Sequence, residues 1–209
     1  MSVKKNHKDE SDAVLIVIDM QEKLVPAMRE MHNLIYRADT LLRGCALMNV
    51  PVIFTQQYTQ GLGHTINPIK EAYVEAVSSA NENVKLAVED QIVPPEHIRF
   101  TYIEKTSFNV MDEPGFVTAL EQTGRREVMV CGIESHVCVL QSAEDLSARG
   151  YTVQVAADAT SSRREIDSAF AYSRMIQKGI TVTTSEALLF DLMKDSNHPV
   201  FRQISALLK

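Results

Sequence analysis

Residues 13–19 of the chain read AVLIVID, an unbroken apolar run that stops at an aspartate. A run of this kind, rich in β-branched side chains, is typical of a strand that is covered on both faces. Such strands belong to parallel sheets, in which helices pack on both sides of the strands. The stretch therefore predicts a buried strand at 13–18, with Asp19 at its carboxyl end.

The same alternation of apolar strand and amphipathic helix continues along the chain. Further strands are predicted at 51–55, 98–104, 128–131, 151–157 and 180–183. Helices are predicted at 34–48, 69–79, 116–122, 137–148, 166–177, 186–193 and 201–208. Strands that alternate with helices need crossover connections, which favour a mostly parallel sheet. The expected fold class is α/β, with six strands in a three-layer α/β/α arrangement.

Length and composition predict one domain. A chain of 209 residues with 45% hydrophobic residues can bury one sizeable core. We assign 13–209 to this domain and 1–12 to a flexible polar tail. The tail lacks the apolar segment of a signal peptide, and no later run approaches the roughly 20 apolar residues that cross a bilayer. These features predict a cytoplasmic protein with no membrane partner.

The charge and the cysteine content indicate which kinds of partner and which redox compartment to expect. The formal net charge is −6, and no basic patch that would attract nucleic acid is visible. A small-molecule substrate is therefore expected. The three cysteines, Cys45, Cys131 and Cys138, cannot all pair within one chain, so at least one thiol is free, as in a reducing compartment. Domains of this class commonly associate, which predicts a homo-oligomer of unspecified stoichiometry.

Polar residues follow three of the predicted strands. Asp19 follows the first strand, Lys105 the third, and Cys138 lies in the first turn of the helix after the fourth. Because the carboxyl ends of parallel strands form one edge, the three side chains are expected to meet there. Taken singly, each has a common structural explanation: a capping aspartate, a solvated lysine or a buried thiol. The positive end of the helix and Lys105 predict a thiolate that reacts with iodoacetamide well below its ordinary pKa.

Other candidate residues receive weaker roles. Cys45 and Cys131 lie in apolar segments and are assigned to packing. His136, two residues before Cys138, would not face it on a helix, so it is expected at most to line the pocket. The glycines of 61–63 lack the context of a dinucleotide site, and no nucleotide or zinc motif occurs. The irregular stretches 56–69 and 85–95 are predicted to be loops over the site.

Three segments together resemble the isochorismatase-like cysteine hydrolases. They are VLIVIDMQ at 14–21, IEKTSF at 103–108, and VMVCGIESHVCVLQSAEDLSARGYTVQVAADAT at 128–160. The resemblance runs over roughly 13–192 with the order and spacing kept. It implies a Rossmann-like strand order, and a triad in which Asp19, Lys105 and Cys138 match the acid, the lysine and the nucleophile.

The resemblance also implies further features of the site. A cis peptide bond is implied between Ile133 and Glu134, and backbone N–H groups near Glu134 and Cys138 would form an oxyanion hole. Substrate-lining roles are implied for the side chains of Gln21, Phe108, Glu134 and His136.

Two differences from known members of this superfamily restrict the activities that we expect. Metal-binding nicotinamidases of this superfamily carry D-x-H-x-x-H after the second strand, where this chain has QQYTQ at 56–60. We therefore expect no metal and no cofactor. True isochorismate hydrolases generally lack the cysteine, so Cys138 argues against cleavage of a vinyl ether.

The expected reaction is hydrolysis of a small amide through a thioester on Cys138, with Asp19 as the base and Lys105 beside it. Two alternatives stay open. One is ether hydrolysis of the isochorismatase type, with Asp19 as general acid and Cys138 a bystander. The other is a scaffold or regulatory protein that retains the fold without turnover.

Overall fold

The computed structural model describes residues 12–80 and 100–209, except the side chains of 77–80 and 100–102. The predicted tail, apart from Asp12, and the predicted loop at 85–95 lie outside the described residues. Within the described part, six strands form one parallel sheet in the order β3-β2-β1-β4-β5-β6. The strands are β1 (Ala13–Ile18), β2 (Val52–Gln57), β3 (Phe100–Lys105), β4 (Glu127–Ile133), β5 (Thr152–Ser161) and β6 (Thr181–Thr183).

Helices follow the strands and cover both faces of the sheet. They are α1 (Met31–Leu47), α2 (Thr59–Leu62), α3 (Asn67–Ala80), α4 (Pro114–Thr123), α5 (Leu140–Ala148), α6 (Glu165–Gln177), α7 (Ser185–Met193) and α8 (Phe201–Leu207). Short 3₁₀ turns occupy Val25–Ala27 and Val110–Asp112, and a π-helical turn occupies Ser135–Val139. The predicted α/β class, three layers and six-stranded parallel sheet are confirmed. No helix in the described ranges is long and apolar enough to span a bilayer.

Alternate side chains of β1 enter two separate cores. Ala13, Leu15 and Val17 pack into one cluster, together with residues of α1, α3 and α7. Val14, Ile16 and Ile18 pack into the other, with residues of α4, α5 and α6. Side chains alternate across a strand, so a strand between two helical layers needs apolar residues at every position. This requirement explains the unbroken apolar run that begins at residue 13.

β1 lies between β2 and β4, where the strand order reverses. In sheets of this type, the crevice for a ligand opens outside the carboxyl ends of the strands at that reversal. Gly132, near the end of β4, has a φ of 115°, and a Cβ atom built there would lie 2.0 Å from the carbonyl oxygen of Ile18. Only glycine fits this close approach of two backbones. The contact brings the turn after β4 next to the end of β1.

Several elements differ from the predicted boundaries. β4 continues through Gly132 and Ile133, and β5 continues to Ser161 beyond a register shift in their pairing. The helix predicted at 137–148 is preceded by the π-helical turn that holds Cys138. The predicted loop after β2 contains the short helix α2 and the first turn of α3. Small and polar residues at these strand ends obscure the boundaries in the apolar pattern.

Candidate active site

Asp19 lies at the centre of the site. It follows β1 directly, has a φ of 52°, and is 0% exposed. Aspartate is among the few residues other than glycine that adopt this left-handed conformation readily. Its Oδ1 accepts a hydrogen bond from the Thr55 hydroxyl at 2.8 Å, and its Oδ2 accepts one from Lys105 Nζ at 2.7 Å. Both carboxylate oxygens are therefore fixed by donors from β2 and β3.

Lys105 ends β3 and turns its ammonium group inward. The side chain is buried and forms an ion pair with Asp19. Further donors of the same ammonium group reach Gln57 Oε1 at 2.7 Å and the Ser107 carbonyl oxygen at 3.1 Å. A buried ammonium ion is tolerable only when its charge is compensated and its N–H groups are bonded. Lys105 meets both conditions, so the solvated lysine considered from the sequence is excluded.

Cys138 completes the cluster from the π-helical turn after β4. Its sulfur lies 3.8 Å from Lys105 Nζ, and the Asp19 carboxylate is close enough to raise the pKa of the thiol. The residue is 7% exposed, so its surroundings are largely desolvated. π-Helical turns are uncommon and occur often at functional sites. The fold thus brings a carboxylate, an ammonium group and a thiol from three distant segments into contact.

The low pKa that the sequence predicts for the Cys138 thiol is wrong. Burial and the adjacent Asp19 carboxylate raise the pKa of the thiol to about 12, although Lys105 acts in the opposite direction. The sequence argument counted Lys105 and the helix end, and it left out desolvation and the carboxylate. The resting site therefore holds a protonated thiol beside an ion pair of Asp19 and Lys105. A proton acceptor is needed before the sulfur can attack.

The other two cysteines lie away from this cluster. Cys45, on α1, and Cys131, within β4, form no disulfide and are fully buried in the apolar core. Burial, with a contribution from Asp158, raises the pKa of Cys131 to about 12. Both positions agree with the packing roles expected from the sequence.

The segment between β4 and Cys138 contains the cis peptide bond implied by the resemblance, between Ile133 and Glu134. Ile133 is buried. The Glu134 carboxylate accepts hydrogen bonds from the backbone N–H and the guanidinium of Arg163. The Glu134 carbonyl oxygen accepts the N–H groups of Val137 and Val139, which closes the turn around Cys138.

The remaining predicted lining residues lie in different surroundings. His136 is partly exposed, with Nδ1 2.9 Å from the Ser162 hydroxyl and Nε2 4.0 Å from Asp167. Phe108 follows β3 and is 53% exposed. The structure shows no direct contact of either with the three central groups.

Gln21 does not present its side chain to a pocket. It is 0% exposed, and its Oε1 accepts the backbone N–H of Gln57 at 2.7 Å. Its Nε2 donates to the carbonyl oxygens of Gln57 and Gly63, at 2.9 and 2.7 Å. The predicted lining role requires an exposed amide, and here the backbone after β2 occupies that amide. Gln21 instead holds the loop in place.

Sequence reasoning missed two side chains of the site, Thr55 and Gln57. Both belong to β2, whose end faces the same edge as Asp19 and Lys105. Their position at a strand end was the available signal, but threonine and glutamine do not suggest catalytic roles by residue type. Within 12–80 and 100–209, no group of three or more His, Cys, Asp or Glu side chains could hold a metal ion. β2 ends in Gln56 and Gln57, whose side chains carry amides.

Comparisons with known proteins identify related chains. A family model described as the isochorismatase domain matches residues 13–187. Isochorismatase domain-containing protein 1 of Salmo salar is 35% identical over 196 residues, which cover 94% of this chain and 60% of that relative. This chain therefore spans about three fifths of the length of that curated relative.

Two solved structures share the fold over nearly the whole chain. A protein named MAR1 ribonuclease from Caenorhabditis elegans is 32% identical, with a TM-score of 0.80 and coverage of 97% of this chain and 92% of that chain. The YcaC gene product of Escherichia coli, described as an octameric hydrolase of unknown specificity, is 22% identical. Its TM-score is 0.81, with coverage of 99% and 91%.

Proposed function

The chain belongs to the isochorismatase family of hydrolases, and we propose that it cleaves the C–N bond of a small amide with Cys138 as nucleophile. The observation that carries this proposal is the contact of Lys105 with both Asp19 and Cys138, at 2.7 and 3.8 Å. A nucleophile, a base and a cation within one buried cluster are the groups that acyl transfer requires. Cys45 and Cys131, in contrast, are buried in the apolar core.

The first step transfers a proton within the cluster. Cys138 Sγ attacks the amide carbonyl carbon while Asp19 accepts the thiol proton, so the S–C bond forms without a free thiolate at rest. The negative charge of Asp19 is thereby transferred to the substrate oxygen. Lys105 keeps its positive charge during this step. The carboxylate is next to the thiol, since it contributes to the raised pKa of Cys138, and this proximity supports a direct transfer of the proton.

The developing oxyanion needs hydrogen-bond donors. In this proposal, backbone N–H groups near Glu134 and Cys138 supply them, with the backbone held by the π-helical turn at Ser135–Val139. Donors that are already oriented stabilise a tetrahedral intermediate at little reorganisation cost. The intermediate then breaks its C–N bond, and the leaving amine takes the proton from Asp19.

The second half of the reaction hydrolyses the thioester. Asp19, again a carboxylate, accepts a proton from a water molecule that attacks the acyl carbon. The C–S bond breaks, the acid is released and the proton returns to Cys138. Glu134, His136 and Phe108 are proposed to line the path of the substrate, since each is close to the cluster in sequence and at least partly accessible.

The test is Cys138→Ala assayed on a panel of small amides, with mass spectrometry of the wild-type protein during turnover. We expect turnover to fall at least about a thousandfold, because removal of a nucleophile typically costs that much. The wild type should carry an acyl adduct on the peptide that contains Cys138. Cys45→Ala, which removes a thiol buried in the apolar core on α1, is the matched control and should retain activity in the folded protein.

Full activity of Cys138→Ala would reject the nucleophilic mechanism. Turnover of isochorismate by that variant would instead support ether hydrolysis with Asp19 as general acid. An absence of turnover on every substrate, with no adduct, would favour a scaffold. RNA belongs in the panel because a relative carries the name ribonuclease, although a net charge of −6 provides little attraction for phosphates.

We also propose that the chain forms a homo-oligomer. A protein with the same fold is described as an octamer, and α6 exposes the large apolar side chains of Ile166, Phe170 and Ile176. Exposed apolar surface of this kind is typical of protein contacts. Light scattering of the purified protein measures the assembled mass, and a monomer at all concentrations would contradict the proposal.

A further inference from the structure

The ammonium group of Lys105 has more neighbours than the reaction uses. A lysine ammonium has three N–H donors. Asp19 Oδ2, Gln57 Oε1 and the Ser107 carbonyl oxygen lie 2.7, 2.7 and 3.1 Å from Nζ. The sulfur of Cys138 is a fourth and longer contact, at 3.8 Å. Three oxygens therefore fix the position of the ammonium group beside the thiol, and only Asp19 among them takes part in the proposed chemistry.

Gln57 is itself held on several sides. Its side-chain Nε2 donates to the Thr106 carbonyl oxygen at 2.6 Å, which leaves Oε1 directed at Lys105. Its backbone N–H and C=O both bond the side chain of Gln21, at 2.7 and 2.9 Å. A carboxamide supplies one acceptor and two donors, so it can satisfy a cation and a carbonyl together. Methionine could satisfy neither group, and glutamate could not donate to Thr106.

We propose that Gln57 is a positioning residue that holds the Lys105 ammonium group between Asp19 and Cys138, with Gln21 fixing Gln57 in turn. The proposal rests on the function proposed above. Gln57 itself touches neither the thiol nor the carboxylate in any contact that the structure describes. Its effect on the reaction therefore passes through Lys105.

The charges decide where the ammonium group moves when Gln57 is lost. Asp19 carries a full negative charge, whereas the resting thiol is neutral, so the carboxylate attracts the ammonium group more strongly. Asp19 Oδ2 already bonds the ammonium group at 2.7 Å, so without Gln57 this carboxylate is its main anchor. The ammonium group is then no longer held near the sulfur, and a thiolate on Cys138 receives less support. The loss of this support slows the attack of the sulfur.

The experiment compares Gln57→Met with Gln56→Met. Gln56 is the neighbouring buried amide, and its Nε2 bonds the Thr65 hydroxyl at 2.7 Å on the other side of β2. The rate at which iodoacetamide alkylates Cys138 is measured from pH 7 to pH 11. We expect Gln57→Met to react about tenfold more slowly at each pH, which corresponds to a rise of about one unit in the pKa of the thiol. Gln56→Met should stay within about twofold of wild type.

Steady-state kinetics and thermal unfolding provide the second readout. On an amide that the wild type cleaves, Gln57→Met should lower kcat by about tenfold or more and leave KM nearly unchanged, since the lost interaction acts in the chemical step. If Cys138 in Gln57→Met were alkylated at the same rate as in the wild type, the proposal would be overturned. Equal slowing in both variants, with equal losses in Tm, would also overturn it, because Gln57 would then act only through folding.

Gln57→Glu covers the case in which the methionine variant does not fold. It keeps an oxygen acceptor for Lys105 and adds a negative charge near the thiol, so the alkylation profile should move to higher pH. A pH profile of alkylation equal to that of the wild type would contradict the contact between Gln57 and Lys105. Alkylation needs no amide substrate, so turnover by Cys138→Ala would defeat the proposed function and leave this test of Gln57 independent.

Discussion

At the scale of single residues, Asp19 acts on Cys138 in two opposite ways. Its carboxylate raises the pKa of the thiol and so suppresses thiolate in the resting site. The same carboxylate is the proposed acceptor of the thiol proton during attack. A carboxylate that makes a thiol less reactive at rest can therefore be essential for catalysis by that thiol.

Asp19→Asn separates these two effects. Asparagine tolerates the positive φ of this position and removes the charge. We expect alkylation of Cys138 at pH 8 to become about tenfold faster or more, because Lys105 then pairs with the thiolate. Turnover of an amide should be lost. Peptide mapping after iodoacetamide treatment checks the site of labelling, and slower labelling would show that Asp19 does not oppose ionisation of the thiol.

The sequence was sufficient to select Asp19, Lys105 and Cys138, because each follows a strand whose carboxyl end must lie at one edge. It could not predict the protonation state of Cys138, since desolvation depends on atoms from several segments. It also misplaced Gln21. A glutamine two residues after an aspartate proposed to be catalytic suggests contact with substrate, but its partners are backbone atoms 36 and 42 residues away.

At the scale of elements, the approach of β4 to β1 sets the position of the turn that bears Cys138. Gly132→Ala would place a Cβ atom against the backbone of Ile18 in a conformation that alanine rarely adopts. We expect a loss of at least about 3 kcal/mol in the free energy of unfolding, or no folding at all. Urea denaturation measures this loss.

Gly124→Ala is the matched control for that measurement. Gly124 ends α4 with a φ of 68°, and nothing lies within 4 Å of a Cβ atom built there. Its cost should be only the backbone preference, about 1 kcal/mol. Equal losses in the two variants would show that the contact with Ile18 does not matter.

Sequence patterns found the strands and helices but not the π-helical turn. An apolar run such as 13–18 is dictated by two helical layers, so it is visible in the sequence. The turn at Ser135–Val139 depends instead on how Glu134 leaves the sheet and accepts two backbone N–H groups. Such a turn has no residue pattern of its own.

At the scale of the whole molecule, buried acids with raised pKa values predict sensitivity to alkali. Burial raises the pKa of Cys131 and Cys138 from 9.0 to about 12, and it raises the pKa of Tyr73 above its ordinary value of 10.0. Between about pH 9 and pH 12 the unfolded chain binds fewer protons than the folded chain, so the free energy of unfolding falls as pH rises. Below pH 9 this contribution is fully present.

Urea midpoints at pH 8, 9.5 and 10.5 measure this fall. Cys131→Ala lowers stability at every pH by removing packing, but the decline from pH 8 to pH 10.5 should be shallower than in the wild type. A midpoint that does not change with pH in the wild-type protein would show that these groups do not ionise on unfolding.

The seclusion of Asp19 and Lys105 from solvent bears on how the protein responds to its medium. Mobile ions weaken the attraction between charges at a wet surface, and they act far less on a pair sealed beneath the end of a sheet. The electric field at the sulfur of Cys138 is therefore set mainly by charged groups of the protein, and the surrounding salt contributes little. Changes in salt concentration are therefore expected to affect the approach of a charged ligand far more than the attraction between Asp19 and Lys105.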